Sequence, residues 1–161
     1  MTDFAHSNRI DGNELNLLRE YTADVPVRVG SLAKALGIDV VLATLPMNIS
    51  GMIHPRGDGF IIKVNRFEPK ERQRFTIAHE IAHFLLHKDR ILQGVTDSVL
   101  YRSRLSSALE AEANRLAADI IMPREAINRA LVQYDRIDDE IIAELAEKFR
   151  VSGAAMQIRV S

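Results

Sequence analysis

The most constraining feature of this sequence is a segment that is hydrophobic on nearly every face. Between Phe75 and Leu86, only four residues are not apolar: Thr76, His79, Glu80 and His83. Proline suits the first turn of a helix, and the eighteen residues that follow Pro69 contain neither proline nor glycine. The sequence therefore predicts a helix from Pro69 to about His87 that is largely buried.

Polar groups inside such a helix need partners. Leaving two imidazoles and a carboxylate buried and unpaired would cost roughly 1 to 3 kcal/mol or more for each group. A divalent cation would compensate them. The alternative, a surface helix with two exposed histidines, is disfavoured by the apolar flanks.

The spacing His79-Glu80-Ile81-Ala82-His83 adds geometry to this argument. At 3.6 residues per turn, the two imidazoles lie one turn apart on one face, where both can reach a single cation. Glu80 is displaced enough to face a water molecule beside that cation. This HExxH arrangement is typical of zinc hydrolases, so the sequence predicts His79 and His83 as metal ligands.

A catalytic zinc normally has a third protein ligand. His87 would lie about 12 Å from His79 along the helix axis, too far to share one ion, so we interpret it as a C-terminal cap or as a group that supports a ligand. The next long helix, predicted from Ser107 to Met122, carries Glu110 and Asn114 one turn apart. We predict that Glu110 binds the metal and that Asn114 hydrogen-bonds a ligating imidazole.

Glu110 also has an alternative role. Ser107-Ala108-Leu109-Glu110 fits a capping box, in which the glutamate bonds the backbone at the start of the helix. In that case Glu112 would be the third ligand.

The remaining segments predict an α+β fold in which a small, mostly antiparallel sheet of about three strands packs on helices. Pro55 to Gly59 has the composition of a hairpin turn, and the strand at Phe60 to Val64 is a hypothetical edge for an extended substrate. Residues 88–106 lack periodicity and predict a long connection that acts as a lid or a substrate-binding loop. The predicted strands are Asp39 to Leu45, Ser50 to His54 and Phe60 to Val64, and the other predicted helices are Asn13 to Tyr21, Val29 to Leu36, Arg124 to Tyr134, Asp138 to Phe149 and Ser152 to Val160.

Composition excludes several classes of function. The 161 residues carry a formal charge of -1 and no cysteine, so we expect neither general polyanion binding nor any disulfide, thiolate nucleophile or cysteine-based metal site. The longest apolar run, Val40 to Ala43, has four residues, far fewer than the roughly 20 of a membrane-spanning helix. The N-terminus lacks a secretory signal pattern, so we expect a cytoplasmic protein.

At the level of motifs, the chain resembles the ImmA/IrrE family of metallopeptidases. The resemblance rests on RQRFTIAHEIAHFLLH at 72–87, EAEANRLAA at 110–118 and IIMP at 120–123. It extends to Ile62-Lys63-Val64-Asn65 and into the C-terminal segment, and it covers most of residues 28 to 160.

This resemblance implies a compact zincin-like peptidase whose zinc is held by His79, His83 and Glu110. It also implies a regulatory protease, or anti-repressor, that acts on a helix-turn-helix transcriptional repressor, here expected to be a separately encoded chain. We expect one domain over residues 1–161, with a catalytic core at 28–123 and a C-terminal helical segment at 124–161.

In the expected mechanism, zinc activates a water, and Glu80 takes its proton and later passes it to the leaving amine. A further donor should stabilise the oxyanion. Tyr101, Arg102 and Arg104 are the candidates.

Two other functions stay open. The chain could be a non-catalytic regulator that contains a metal and sequesters a repressor. It could also bind DNA, because residues 138–160 read as helix, turn, helix. Six basic against seven acidic residues from Arg124 to Ser161 argue against phosphate contacts, so we expect no direct DNA binding.

Overall fold

The computed structural model describes residues 4–94 and 107–161 of the chain, and the predicted α+β class is confirmed. A short 3-10 turn at Ser7–Arg9 precedes the first helix. Helices α1 to α8 span Gly12–Tyr21, Val29–Ala35, Lys70–Leu86, Lys88–Gly94, Ser107–Ile121, Arg124–Leu131, Asp139–Phe149 and Gly153–Val160, and strands β1 to β3 span Ile38–Ala43, Gly51–Arg56 and Gly59–Asn65.

The predicted small sheet is present, and its strand order is β1-β3-β2. Strands β2 and β3 form the expected antiparallel hairpin, while β1 pairs with β3 in parallel, so the sheet is mixed. Gly57 lies in the hairpin turn with φ 58°, a left-handed conformation that glycine adopts without steric strain.

The hypothesis that Phe60 to Val64 forms a free edge is wrong, because β3 is the central strand. Ile62 lies opposite Val40 on one side and opposite Ile53 on the other. A strand's own sequence indicates that it pairs and which face is buried, but it does not reveal how many neighbours flank it. Within the described residues, β1 and β2 are the outer strands of the sheet.

Helix α3 lies between the sheet and α5, as its apolar surface requires. Pro69 occupies the N-cap position and His87 the C-cap, close to the predicted bounds. Ala78 and Ala82 of α3 are fully buried, as are Ala113 and Ala117 of α5. Small side chains on facing helices permit a short interaxial distance, which brings polar groups of the two helices within contact.

The predicted irregular connection at 88–106 is wrong over its first seven residues, which form α4. Ile91 of this helix is buried, and Lys88 Nζ lies 4.3 Å from the centre of the Phe84 ring. A helix this short is stabilised by tertiary packing and shows too few turns for a periodic pattern. Residues 95–106 lie outside the described part of the chain.

The three C-terminal helices form where the sequence predicts them. Arg159 connects the last of them, α8, to α5 by hydrogen bonds. Its guanidinium donates to Asp119 Oδ1 at 2.7 Å and to the carbonyl oxygen of Met122 at 2.8 Å. Asp119 Oδ2 also accepts a hydrogen bond from the backbone N–H of Ala5 at 2.7 Å. Both ends of the described chain therefore meet at α5.

A single hydrophobic cluster runs from Phe4 to Met156. None of the helices in residues 4–94 and 107–161 combines the length and the apolar content needed to cross a bilayer.

Candidate metal centre

The two imidazoles of the HExxH motif lie side by side on α3. The ring centroids of His79 and His83 are 4.7 Å apart, and the rings are nearly perpendicular. Both residues are buried, with 7% and 1% of their surface exposed. The helical spacing places the rings together, and the packing of α3 against α5 removes them from water.

Glu110 of α5 meets both rings. Its Oε1 lies 3.2 Å from His79 Nε2, and its Oε2 lies 2.9 Å from His83 Nε2. One ligand atom from each of the three residues lies within 4.8 Å of the other two. The sequence offered a ligand role and a capping role for Glu110, and the carboxylate lies at the imidazoles.

These three side chains fit a divalent cation. His83 Nε2 is buried and forms no hydrogen bond with any described residue, although a carboxylate oxygen is 2.9 Å away. A ring-nitrogen lone pair that faces a carboxylate at this distance is unfavourable unless a cation binds both. Zinc–ligand bonds of about 2.0 to 2.2 Å in a tetrahedron separate neighbouring ligand atoms by roughly 3.4 Å, close to the two carboxylate–imidazole separations of 3.2 and 2.9 Å.

Glu80 is 1% exposed and lines the same cavity as Glu110 and His79. Its carboxylate lies beside the start of β2, since a Cβ built on Gly51 would be 3.8 Å from Glu80 Oε2. The motif therefore directs Glu80 into the cavity, beside the three clustered side chains.

The cavity has a volume of about 470 Å³, and Glu110 is one of its lining residues. Ser50 lines one wall, next to β2. Val151, Ser152 and Ala155, at the turn before α8 and its first residues, line another. The sequence does not connect this C-terminal turn with the site, because nothing local in 151–155 indicates that it folds back to α3.

Asn65 was also missed as a determinant of this cavity. It is 2% exposed, and its side-chain amide donates to the carbonyl oxygens of Leu45, Pro46 and Ile49. Its backbone N–H donates to the carbonyl oxygen of Ser50 at 2.8 Å. An asparagine at the end of a hydrophobic strand is the sequence signal that could have indicated this role.

His87 and Glu112 form a second layer behind the site. His87 Nδ1 lies 2.9 Å from His83 Nδ1, and His87 Nε2 lies 2.9 Å from Glu112 Oε1. Burial lowers the pKa of the His87 imidazole, while its hydrogen bond to Glu112 acts in the opposite direction. Hydrogen bonds from Arg9 and His87 lower the pKa of the Glu112 carboxyl to about 2.

The other predicted site residues are Asn114 and the three oxyanion candidates. Asn114 lines the cavity with an exposed side chain, and within the described residues it hydrogen-bonds neither His79 nor His83; the imidazole of His83 contacts His87 instead. The oxyanion candidates Tyr101, Arg102 and Arg104 fall outside the described residues.

Comparison with known proteins gives one family. Residues 33–161 match the model of the IrrE N-terminal-like domain. The chain is 32% identical over 143 residues to the radiation response metalloprotease IrrE of Deinococcus radiodurans, covering 87% of this chain and 42% of that protein. It is 34% identical over 121 residues to the same-named protein of Deinococcus deserti, covering 74% of this chain and 42% of that one.

A shorter match, 33% identical over 87 residues, covers 53% of this chain and 48% of the metallopeptidase ImmA of Bacillus subtilis. The chain thus spans less than half the length of these curated relatives. A Mycobacterium tuberculosis transcriptional regulator has a similar fold, with a TM-score of 0.61 at 20% identity over 98% of this chain and 48% of that one.

Proposed function

The chain belongs to the IrrE N-terminal-like family of metallopeptidases, and from this premise we propose that it is a zinc-dependent peptidase. His79, His83 and Glu110 would hold the zinc. The observation that carries the proposal is the approach of one carboxylate to two buried imidazoles, at 3.2 and 2.9 Å. Zinc suits a site of two imidazoles and one carboxylate.

A zinc ion in this site would polarise a peptide carbonyl and acidify a water molecule. Glu80 lines the cavity beside the cluster and is the general base that takes the proton from this water as its oxygen attacks the carbonyl carbon. When the C–N bond breaks, Glu80 passes the proton to the leaving nitrogen. The products are a carboxylate and an amine.

The cavity beside the start of β2 is the proposed binding site for the substrate. The first residue of this strand, Gly51, packs against Thr76 of α3, and Thr76 lines the cavity. We also propose that the hydrogen bond to the oxyanion comes from Tyr101, Arg102 or Arg104.

For the biological substrate we propose a separately encoded helix-turn-helix repressor in the cytoplasm. The chain belongs to the family that it resembles in its motifs. That resemblance implies regulatory proteases that act on such repressors, and this supports the choice of substrate. We retain residues 28–123 as the proposed catalytic core and 124–161 as a segment that completes the cavity wall. A gene for such a repressor beside this one would supply the substrate to test.

The test uses Glu80→Gln with the purified repressor. The variant keeps the shape of the side chain but cannot accept the proton, so we expect normal zinc content and cleavage slowed by at least about a hundredfold. Cleavage by the wild-type chain should stop with a chelator and resume with zinc. An unchanged cleavage rate in the variant would contradict the mechanism, and regulation retained in cells by the variant would favour sequestration of the repressor.

A further inference from the structure

Four side chains form a continuous line that leads away from the metal centre. His83 contacts His87 through their Nδ1 atoms at 2.9 Å, and His87 Nε2 lies 2.9 Å from Glu112 Oε1. Arg9 then donates two hydrogen bonds to Glu112, from NH1 to Oε2 at 3.1 Å and from NH2 to Oε1 at 3.2 Å. The line joins α3, α5 and the 3-10 turn at Ser7–Arg9.

The donors and acceptors along this line allow one arrangement when His83 binds a cation through Nε2. His83 then carries its proton on Nδ1 and donates to His87 Nδ1, which must accept. His87 consequently carries its proton on Nε2 and donates to Glu112, which is an acceptor only. The two inner hydrogen bonds thus run outward from the metal site to the Glu112 carboxylate, and the two from Arg9 run inward to the same carboxylate.

Burial and the contact with His87 restrict the orientation of the His83 ring. His83 and His87 are 1% and 4% exposed, and their ring centroids are 5.1 Å apart. A ligating imidazole whose second nitrogen is hydrogen-bonded has a fixed ring orientation and a fixed tautomer, and it is a stronger ligand.

At the outer end of the line, Arg9 holds the carboxylate of Glu112 in place. Its side chain is 39% exposed, while that of Glu112 is 21% exposed. A guanidinium that binds both oxygens of one carboxylate restricts the rotation of that carboxylate. Arg9 also lies before residues 33–161, the part of the chain that matches the family model.

We propose that His87 is a positioning residue for His83, and that Arg9 supports the metal site from the N-terminal segment through Glu112. This inference rests on the proposed zinc site. It assigns to the N-terminal segment, which lies outside the family-matched region, a part in metal binding.

Four variants test the line. His87→Phe keeps a ring but removes both nitrogens, whereas His87→Asn keeps an acceptor close to the place of Nδ1. Arg9→Gln removes the paired hydrogen bonds to Glu112. Arg56→Gln is the matched control, because Arg56 pairs with Asp39 on the exposed face of the sheet and contacts none of these residues.

The measurements are the zinc dissociation constant, from competition with a chelator, and the thermal unfolding midpoint of each metal-free chain. We expect His87→Phe to weaken zinc binding by about 10- to 100-fold, the range for outer-shell partners of metal ligands, and His87→Asn to recover most of this. Arg9→Gln should weaken it by about threefold, and Arg56→Gln should not change it. In the zinc-loaded wild type, ¹⁵N NMR should find the ring proton on Nδ1 of His83 and on Nε2 of His87.

The outcomes separate this inference from the proposed function. If the wild type binds zinc and His87→Phe binds it equally well, the positioning role is wrong even if the variant unfolds at a lower temperature. A change in zinc binding in His87→Phe but none in Arg9→Gln would overturn the role of the N-terminal segment. If the wild type binds no zinc, the proposed function fails and this inference with it.

Discussion

Glu110 and Glu112 lie two positions apart on α5 and bind different imidazoles. Glu110 Oε2 is 2.9 Å from His83 Nε2, and Glu112 Oε1 is 2.9 Å from His87 Nε2. One carboxylate therefore lies among the candidate metal ligands, and the other lies one layer behind them. From the sequence alone, either residue could be the third ligand. The orientation of α5 against α3 directs Glu110 to His83 and Glu112 to His87.

Alanine at each position should have unequal effects on zinc. Glu110→Ala removes a direct ligand, so zinc affinity should fall by more than the roughly 10- to 100-fold that outer-shell changes produce. In Glu112→Ala, the loss of zinc affinity should lie within that range. Metal content after gel filtration, followed by chelator competition, measures both, and full zinc content in Glu110→Ala would remove its assignment as a ligand.

Zinc should also stabilise the folded chain. A ligand that binds only the native state adds about 2.7 kcal/mol to the unfolding free energy when its free concentration is a hundred times its dissociation constant. Adding zinc to the chelator-treated wild type should therefore raise the unfolding midpoint. Glu110→Ala is the control and should show a much smaller rise, while equal rises in the two proteins would indicate zinc binding at another place.

Gly51 should tolerate no side chain. A Cβ there would overlap the methyl group of Thr76 and lie 2.9 Å from the carbonyl oxygen of Lys63. The oxygen belongs to the backbone of β3 and cannot move away easily, so Gly51→Ala should lower the unfolding free energy by about 1 to 3 kcal/mol. It should also displace β2 from α3 and reduce peptidase activity.

Gly30→Ala is the matched control for this change. Gly30 lies in α2, and a Cβ there would meet no atom within 4 Å. Because alanine favours a helix more than glycine does, the control should be neutral or more stable by up to about 1 kcal/mol. Urea unfolding measures both variants, and equal stability of Gly51→Ala and wild type would show that β2 adjusts freely.

Removal of Asp119 should loosen the C-terminal helix that walls the cavity. Asp119 pairs with Arg159 at 2.7 Å, and the two side chains are 16% and 10% exposed. Asp119→Ala leaves a largely buried guanidinium without its carboxylate, so we expect a loss of about 3 kcal/mol in unfolding free energy.

The exposed ion pair Arg129–Glu125 is the control for this prediction. It joins residues one turn apart on α6, with side chains 60% and 51% exposed, and Arg129→Ala should change the unfolding free energy by at most about 0.5 kcal/mol. Similar losses in the two alanine variants would show that burial does not strengthen the Asp119–Arg159 pair.

Long, strongly patterned segments could be predicted from the sequence. The helix that carries His79 and His83 and the hairpin around Gly57 were predicted because apolar periodicity and turn chemistry are local properties. The seven-residue α4 was not predicted, because its packing through Ile91 stabilises it. The edge assigned to Phe60–Val64 was wrong because strand neighbours are set by distant parts of the chain.

By itself, the sequence determined that two imidazoles lie one turn apart on a buried helix and that an acidic helix follows, because both facts come from helical periodicity and hydrophobic burial. Only the tertiary structure decided which carboxylate meets those imidazoles, that Arg9 reaches Glu112 behind them, and that the turn at Val151 lines the cavity. These contacts join residues far apart in the chain, and their geometry depends on how the helices pack against each other rather than on any local pattern.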